Sequence, residues 1–457
     1  MKNLEKEALS ENVTLDYAIT EETSKKKFKN ENAMDKPPPK KSFKEISQLS
    51  QNTKTISDSK IVVEENNVDD KTKMDKRLSK VQKSLKSIGK MLNLPLLHQK
   101  VNKKSILYQY ENGFSSNKYR CYDEIGHQSK LIFKEIMKDE HIEIATKFQT
   151  LSPHWKYVKI KSTLNTDHIS AFGSLNANEL NDEEIQQQKQ LFTEKMENLC
   201  TSLFFVHSKK QQQISDNNDG DVDGEKKSTT KKKKEVFFEK IKGQDYLEEF
   251  IGNLNFKFGP FSYMPTNVTA TDKMFKRLRG FKLVKKSDII VDFDCNAGLY
   301  GLNLAKTSKT EKAQKVVVLE NSPVLIKDFQ INAKALDNIP TEIHQGCNLY
   351  NFGRVLQDFH YGNHQGVLIL HPKGQQIIPL DMIEAIYNSK GIRRIILFTS
   401  DFNRQGFEIL MTLLRPEEGT NSGSKKRYFH LNAVYNFDLH TKTTYMENVL
   451  VLDRNED

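Results

Sequence analysis

The chain has 457 residues, enough to bury a sizeable core, and carries 70 Lys and Arg against 60 Asp and Glu, a net charge of +10. A 37% hydrophobic and 28% charged composition is polar for a wholly globular chain, so long disordered stretches are expected beside an ordinary folded part. No run approaches the roughly 20 apolar residues of a membrane span, and MKNLEKEALSENVTLD has neither a signal-peptide core nor an Arg-rich transit pattern; a cytoplasmic or nuclear protein with an anionic partner such as nucleic acid is expected.

Residues 1–75 are rich in Lys, Glu, Asn and Ser, with a PPPKK break at Pro37 and no apolar period, and are expected to form a disordered polar arm. Segment 76–104 is a basic amphipathic helix and linker: in KRLSKVQKSLKSIGKMLNLPLL, Leu78, Val81, Leu85, Ile88 and Leu92 recur at spacings of three and four. That helix is expected to pack on the domain after it, rather than lie on a membrane or an RNA. Residues 105–207 read as an α+β central domain. WKYVKIKSTLNTDHISAFGSL alternates like two strands around a polar turn, Glu179 to Cys200 is helical, and TSLFFV is again a strand. The stretch 208–235, with an acidic centre and the lysines Lys231 to Lys234, is low in complexity and reads as a solvated loop. Cys121, Cys200, Cys295 and Cys347 have no metal-ligand spacing and read as reduced thiols.

From residue 236 onward, and most clearly from Asp288, the pattern is strand, helix, strand, helix. IIVDFDC, VVVLE, GVLILH, RRIILFTS and ENVLVLD are apolar strands, with AGLYGLNLAK and PVLIKDFQINAKAL as helices between the first of them. Such alternation predicts a doubly wound, Rossmann-like α/β domain that binds ligands at the carboxyl ends of its strands. Two strand ends carry readable chemistry. After Asp292 the chain turns through Gly298 and Gly301, where glycine permits a tight turn and a helix start offers N–H groups. Glu320 closes the next strand, placed to accept hydrogen bonds from a ribose diol. Taken alone, these residues fit a ligand loop and a plain strand-turn-helix about equally.

Six collinear blocks over roughly residues 150–457 resemble the tRNA (uracil-5-)-methyltransferases, most closely the eukaryotic cytosolic homolog A group. They are SPHWKYVKIKSTLNTDHISAFGSLNANELNDEEI, SLFFV with FKFGPFSYMPTNVTATDKMF, VDFDCNAGLYGLNLA, VVVLENSPVLIKDFQINAKALDN, RRIILFTSDFN and FDLHTKTTYMENVLVLDR. The resemblance implies a class I S-adenosylmethionine-dependent fold, with 236–457 as the methyltransferase-like domain. It also implies methylation of uridine carbon 5 in tRNA: a cysteine thiolate adds to carbon 6, the activated ring takes the methyl group, and a glutamate removes the proton from carbon 5.

The matching positions depart from that pattern. The nucleophilic cysteine falls on Ser400, followed by Asp401, and an unactivated hydroxyl is a poor substitute for a thiol. A family Gln falls on Pro265, a family Asp on His371, and the first glycine of the cofactor loop on Asn296. Asp292, Gly298, Gly301 and Glu320 remain at cofactor positions, Asp438 is kept, and Glu447 stands at the base position. The family's N-terminal RNA-recognition domain has no counterpart in residues 1–75. RNA contact is expected instead from Lys273, Lys276, Arg277, Arg279, Lys282, Lys285 and Lys286. The leading expectation is a catalytically impaired RNA-binding pseudoenzyme of this type. An active enzyme that uses S-adenosylmethionine to form 5-methyluridine, and a scaffold subunit that binds protein through its arm or the 208–235 loop, stay open.

Overall fold

A computed structural model describes residues 70–92, 94, 116–120, 139–164, 166–210, 234–265, 267–306, 311–334, 339–360, 364–372, 378–402, 406–415, 427–439 and 446–455. All lie in the unit Asp69–Asp457. Residues 1–69 of the arm expected over 1–75, Cys121, and 211–233 of the insertion are outside the described residues, while 70–75 belong to the first helix.

Helix α1, Asp70–Met91, begins before the expected Lys76, because its first turns carry no apolar face for a periodicity to reveal. Its Val81, Leu85 and Ile88 are buried. They pack on the far end of the chain, with Leu410, Leu431, Val434 and Leu452, not on the unit that follows in sequence. The contact is pinned by a buried fork: Arg77 Nη1 and Nη2 donate to Asp438 Oδ1 at 2.9 Å and Oδ2 at 2.8 Å. Breaking one partner of such a pair leaves a desolvated charge. Arg77→Met is therefore expected to cost about 3–5 kcal/mol, read by urea unfolding, and the Arg77→Met/Asp438→Asn double variant to lose less than the sum of the singles.

The central unit is a five-stranded sheet in sequential order: β1 (Ser116–Arg120), β2 (Trp155–Ser162), β3 (Ile169–Asn176), β4 (Ser202–Lys210) and β5 (Lys234–Lys242). Helices α2 (Asp139–Gln149) and α3 (Asp182–Met196) supply Phe148 and Phe192 to a core around Trp155, whose ring stacks on Phe192 at 4.8 Å. Helix α3 starts at Asp182, later than the expected Glu179, because Asn181 forms a capping box with Glu184. Strand β5 pairs antiparallel with β4, so the sheet resumes beyond the insertion. The composition break at 207–236 hides a hairpin, and residues up to Lys242 belong to the central sheet.

The hairpin of β6 (Leu247–Ile251) and β7 (Leu254–Phe258) turns on Gly252 and Asn253, both with positive φ. Helix α4 (Val268–Gly280) then leads to β8 (Ile289–Phe293), α5 (Leu299–Ala305), β9 (Lys315–Glu320), α6 (Pro323–Ala333), β10 (Thr341–Gln345), α7 (Leu349–Gln357) and β11 (Gly366–Leu370). The chain ends with α8 (Leu380–Asn388), β12 (Ile392–Thr399), α9 (Phe407–Leu413), β13 (Phe429–Phe437) and β14 (Glu447–Arg454). The sheet order is β10-β9-β8-β11-β12-β14-β13. The first five strands are parallel, and β14 runs antiparallel between β12 and β13. Every residue of β11 is buried, as a strand covered on both faces requires, and apolar clusters line the two faces separately. The order reverses between β8 and β11, which opens a crevice at their carboxyl ends.

Lys161 on β2 ties the central sheet to the segment between β7 and α4. Its Nζ donates to Gly259 O and Pro260 O at 3.0 Å and to Ser262 O at 2.9 Å. Burial pushes its pKa well below the ordinary lysine value, while an ammonium supplies one proton to each of the three carbonyls. An alternating strand pattern gives no hint of this role, since a lysine there reads as surface.

Candidate active site

The carboxyl ends of β8, β9, β11 and β12 bring most of the expected residues to one edge of the sheet. Asp292, fully buried on β8, accepts from Gly301 N at 2.9 Å and faces His371 Nε2 at 3.1 Å. The His371 ring stacks on Tyr300 at 4.5 Å, and Tyr300 meets Phe398 at 4.6 Å. Burial, followed by the electrostatic influence of Tyr263, Glu447 and Asp292, holds the Tyr300 phenol well above its ordinary pKa. Glu320, also fully buried, accepts from Asn296 N at 2.8 Å and Ser322 N at 3.0 Å. These N–H groups were expected to be free for a ligand, but Asp292 and Glu320 already hold those of Gly301 and Asn296.

The two glycines are kept for close packing. Gly298 has φ +82, and a Cβ there would lie 2.6 Å from Phe329; at Gly301 it would lie 2.5 Å from Asp292 Oδ2. Asn296 adopts φ +54, a left-handed conformation that asparagine tolerates better than most residues. Its side-chain oxygen accepts from Tyr263 N and Ala297 N, each at 2.9 Å. Asn296 thus fastens the turn after β8 to the segment that precedes α4. Pro265, in that segment, is buried and has no side-chain amide to offer.

Beside this network lies a cavity of about 120 Å³, with Phe293, Leu370, Ile378 and Met382 in its apolar lining and Asp294 and His371 among its polar members. Its size is near the roughly 150 Å³ of a cavity that admits a benzene ring, and it sits at the strand-order reversal. S-adenosylmethionine fits in part. A planar base suits the cavity and Glu320 stands at the neighbouring strand end, but a diol reaches that buried carboxylate only if the 294–298 loop shifts. The imidazole of His371 fills the space over Asp292.

Ser400 is exposed at the end of β12. The β12–β14 register ends with Thr399 paired to Asn448, so Ser400 and Glu447 flank the last pair of that ladder. No described residue hydrogen-bonds to the Ser400 hydroxyl. Glu447 is 7% exposed, and burial raises its pKa from 4.5 to about 8, so it is about nine-tenths protonated at pH 7. The nearby Cys295 does not supply a thiolate: it is fully buried, and burial together with the Asp292 charge drives its pKa well up.

The basic residues do not join this site. Lys276 pairs with Asp272 at 2.7 Å. Arg279, expected to meet RNA, donates to Gly252 O at 2.8 Å and packs at Asn303, a structural role that the helix sequence alone does not disclose. Lys282, Lys285 and Lys286 precede β8, at the amino ends of the strands.

The seven-strand order, with its antiparallel penultimate strand and a crevice between β8 and β11, decides the class. The fold is a doubly wound, Rossmann-like α/β fold. No family model matches the chain. It is 29% identical over 105 residues to an uncharacterized RNA methyltransferase of Oceanobacillus iheyensis, covering 22% of each chain. It is 31% identical over 97 residues to an uncharacterized RNA methyltransferase of Clostridium tetani, covering 21% of this chain and 20% of the relative. The match therefore spans about a fifth of the length of these curated relatives. Among solved structures, the chain is similar to the Pyrococcus abyssi tRNA (uracil-54, C5)-methyltransferase in complex with S-adenosyl-L-homocysteine, with a TM-score of 0.49, 13% identity and coverage of 82% of this chain and 83% of that one. It is also similar to Trm5b of the same organism, with a TM-score of 0.34, 12% identity and coverage of 63% and 73%. In the described residues no helix is long and apolar enough to cross a membrane.

Proposed function

We propose that this chain is an RNA-binding, S-adenosylmethionine-binding relative of the tRNA (uracil-5-)-methyltransferases in which methyl transfer is impaired or absent. The observation that carries the reading is Ser400: an exposed hydroxyl at the nucleophile position, with no described base bonded to it, flanking the same last β12–β14 pair as a largely protonated Glu447. The cofactor, when bound, supplies an electrophilic methyl group. The cavity lining would hold its nucleoside half, with Glu320 joining once the 294–298 loop shifts, and the imidazole of His371 would have to move to open the space over Asp292. A serine hydroxyl does not add to carbon 6 of uridine without a base to take its proton, and protonated Glu447 cannot take one.

Two measurements test this reading. Calorimetric titration with S-adenosylmethionine is expected to show binding that weakens tenfold or more in Glu320→Gln. Mass analysis of nucleosides from unmodified tRNA incubated with protein and cofactor is expected to show no 5-methyluridine. Product at an ordinary enzymatic rate removes the impairment, and absence of binding at millimolar cofactor removes the cofactor assignment.

A further inference from the structure

Four of the cations that the sequence assigns to RNA, Arg277, Lys282, Lys285 and Lys286, lie on or beside the turn 281–288, at the end of the sheet opposite Ser400. The turn 281–288 is fastened to the amino ends of β8 and β12: Leu283 O accepts from Arg394 Nη1 at 2.8 Å, and Lys285 N donates to Asp288 Oδ2 at 2.6 Å. Strand β12 separates that turn from Ser400 by eight residues, about 25 Å at 3.3 Å per residue.

The carboxylates around the turn are already matched. Asp288 pairs with Arg393, Asp453 with Arg394, and Asp272 with Lys276. Exposed Arg277, Lys282, Lys285 and Lys286 have no carboxylate partner among the described residues, so the local field is a fixed, uncompensated positive patch. Phe281 stacks on Tyr435 at 4.2 Å with the Arg277 guanidinium 5.8 Å from its ring, which holds the patch on a rigid base. A membrane surface needs apolar anchors beside the cations. Here Leu283 and Val284 are buried and Phe281 is covered by Tyr435.

We propose that RNA binds through its phosphates at this amino-end face, on Arg277, Lys282, Lys285 and Lys286, and that this face, not the cleft, supplies most of the affinity. This rests on the RNA-methyltransferase-like reading and adds where RNA is held. An RNA gripped about 25 Å from Ser400 presents a base to the cleft only from a part of the molecule other than the part held here.

The test is fluorescence anisotropy of labelled, unmodified tRNA with the full chain across 50–300 mM KCl. Each neutralised phosphate contributes about 0.9 to the slope of log K against log salt on a duplex. The Lys282→Gln/Lys285→Gln/Lys286→Gln variant is therefore expected to lose about 2.7 from the slope and at least tenfold in affinity at 50 mM, with thermal unfolding unchanged. Ser400→Ala is expected to stay within twofold of the parent. The proposal is overturned if the triple variant keeps the parent slope, if Ser400→Ala loses as much, if the parent chain does not bind tRNA, or if phosphatidylserine vesicles bind as tightly as tRNA. Cofactor titration on the same samples separates this failure from failure of the functional assignment, because the triple variant leaves the cofactor cleft untouched.

Discussion

Ser400→Cys is expected to convert a chain that forms no covalent adduct with uridine-containing RNA into one that does. The reason is the nucleophile itself: a free thiol is a few per cent thiolate near neutral pH and intrinsically reactive, whereas a serine hydroxyl needs a base, and none is bonded to Ser400. Removing a nucleophile costs as much as about 10⁶ in turnover where it has been measured. Restoring one among unaltered neighbours is expected to recover on the order of 10²–10³ of that loss, since His371 still fills the space over Asp292 and Asn296 still ties its loop to Tyr263. The gain should grow between pH 7 and 9, because the thiol with its ordinary value near 8.5 and Glu447 at about 8 both have to lose protons. Single-turnover transfer of labelled methyl to tRNA, run beside a denaturing gel for the protein–RNA adduct, reads both effects. A Ser400→Cys protein that forms neither adduct nor product at pH 9 would show that the block lies at His371 or the 294–298 loop and not at the hydroxyl.

Five of the seven strands, β8, β9, β11, β12 and β14, were legible because each is an apolar run, and β11, GVLIL, is buried at every position; the edge strands β10, TEIHQ, and β13, FHLNAVYNF, have no such run and were missed. The sequence also placed Asp292, Glu320, His371, Ser400 and Glu447 on strand ends that converge, since the strands themselves fix where those ends lie. Polar residues that work inward were not legible. Lys161 and Arg279 read as surface cations, yet one binds three carbonyls and the other braces the Gly252 turn. Arg77, 361 residues from Asp438 in sequence, is paired by packing that no local pattern encodes. The basic cluster read correctly as charged but carried no address. Whether it faces the cleft or the opposite edge depends on which strand end its turn joins, and that is a property of topology.

The second large effect concerns Glu447 and is expected as a pH dependence of stability. Its carboxyl is 7% exposed, and its pKa rises from 4.5 to about 8 because burial disfavours the charged form. The folded chain therefore keeps a proton that the unfolded chain releases above about pH 4.5. Stability from this group is fully present below that pH and is lost as pH rises toward 8, with a total near 1.4 kcal/mol per unit, on the order of 4 kcal/mol over the window. Glutamine reproduces the neutral acid in shape and charge. Glu447→Gln is thus expected to match the parent at pH 5 and exceed it at pH 8 by on the order of 4 kcal/mol, roughly 10 °C in Tm for a domain of this size. Paired thermal melts of the two proteins at pH 5, 6, 7 and 8 test this, since every other titrating group cancels in the difference. A constant difference across the series would mean that Glu447 ionises in the folded chain as it does in water, and it would then be competent as the base that Ser400→Cys requires. A widening difference would mean that the chain keeps its strand ends tightly closed by holding that acid neutral, a state suited to stability and opposed to proton abstraction near pH 7.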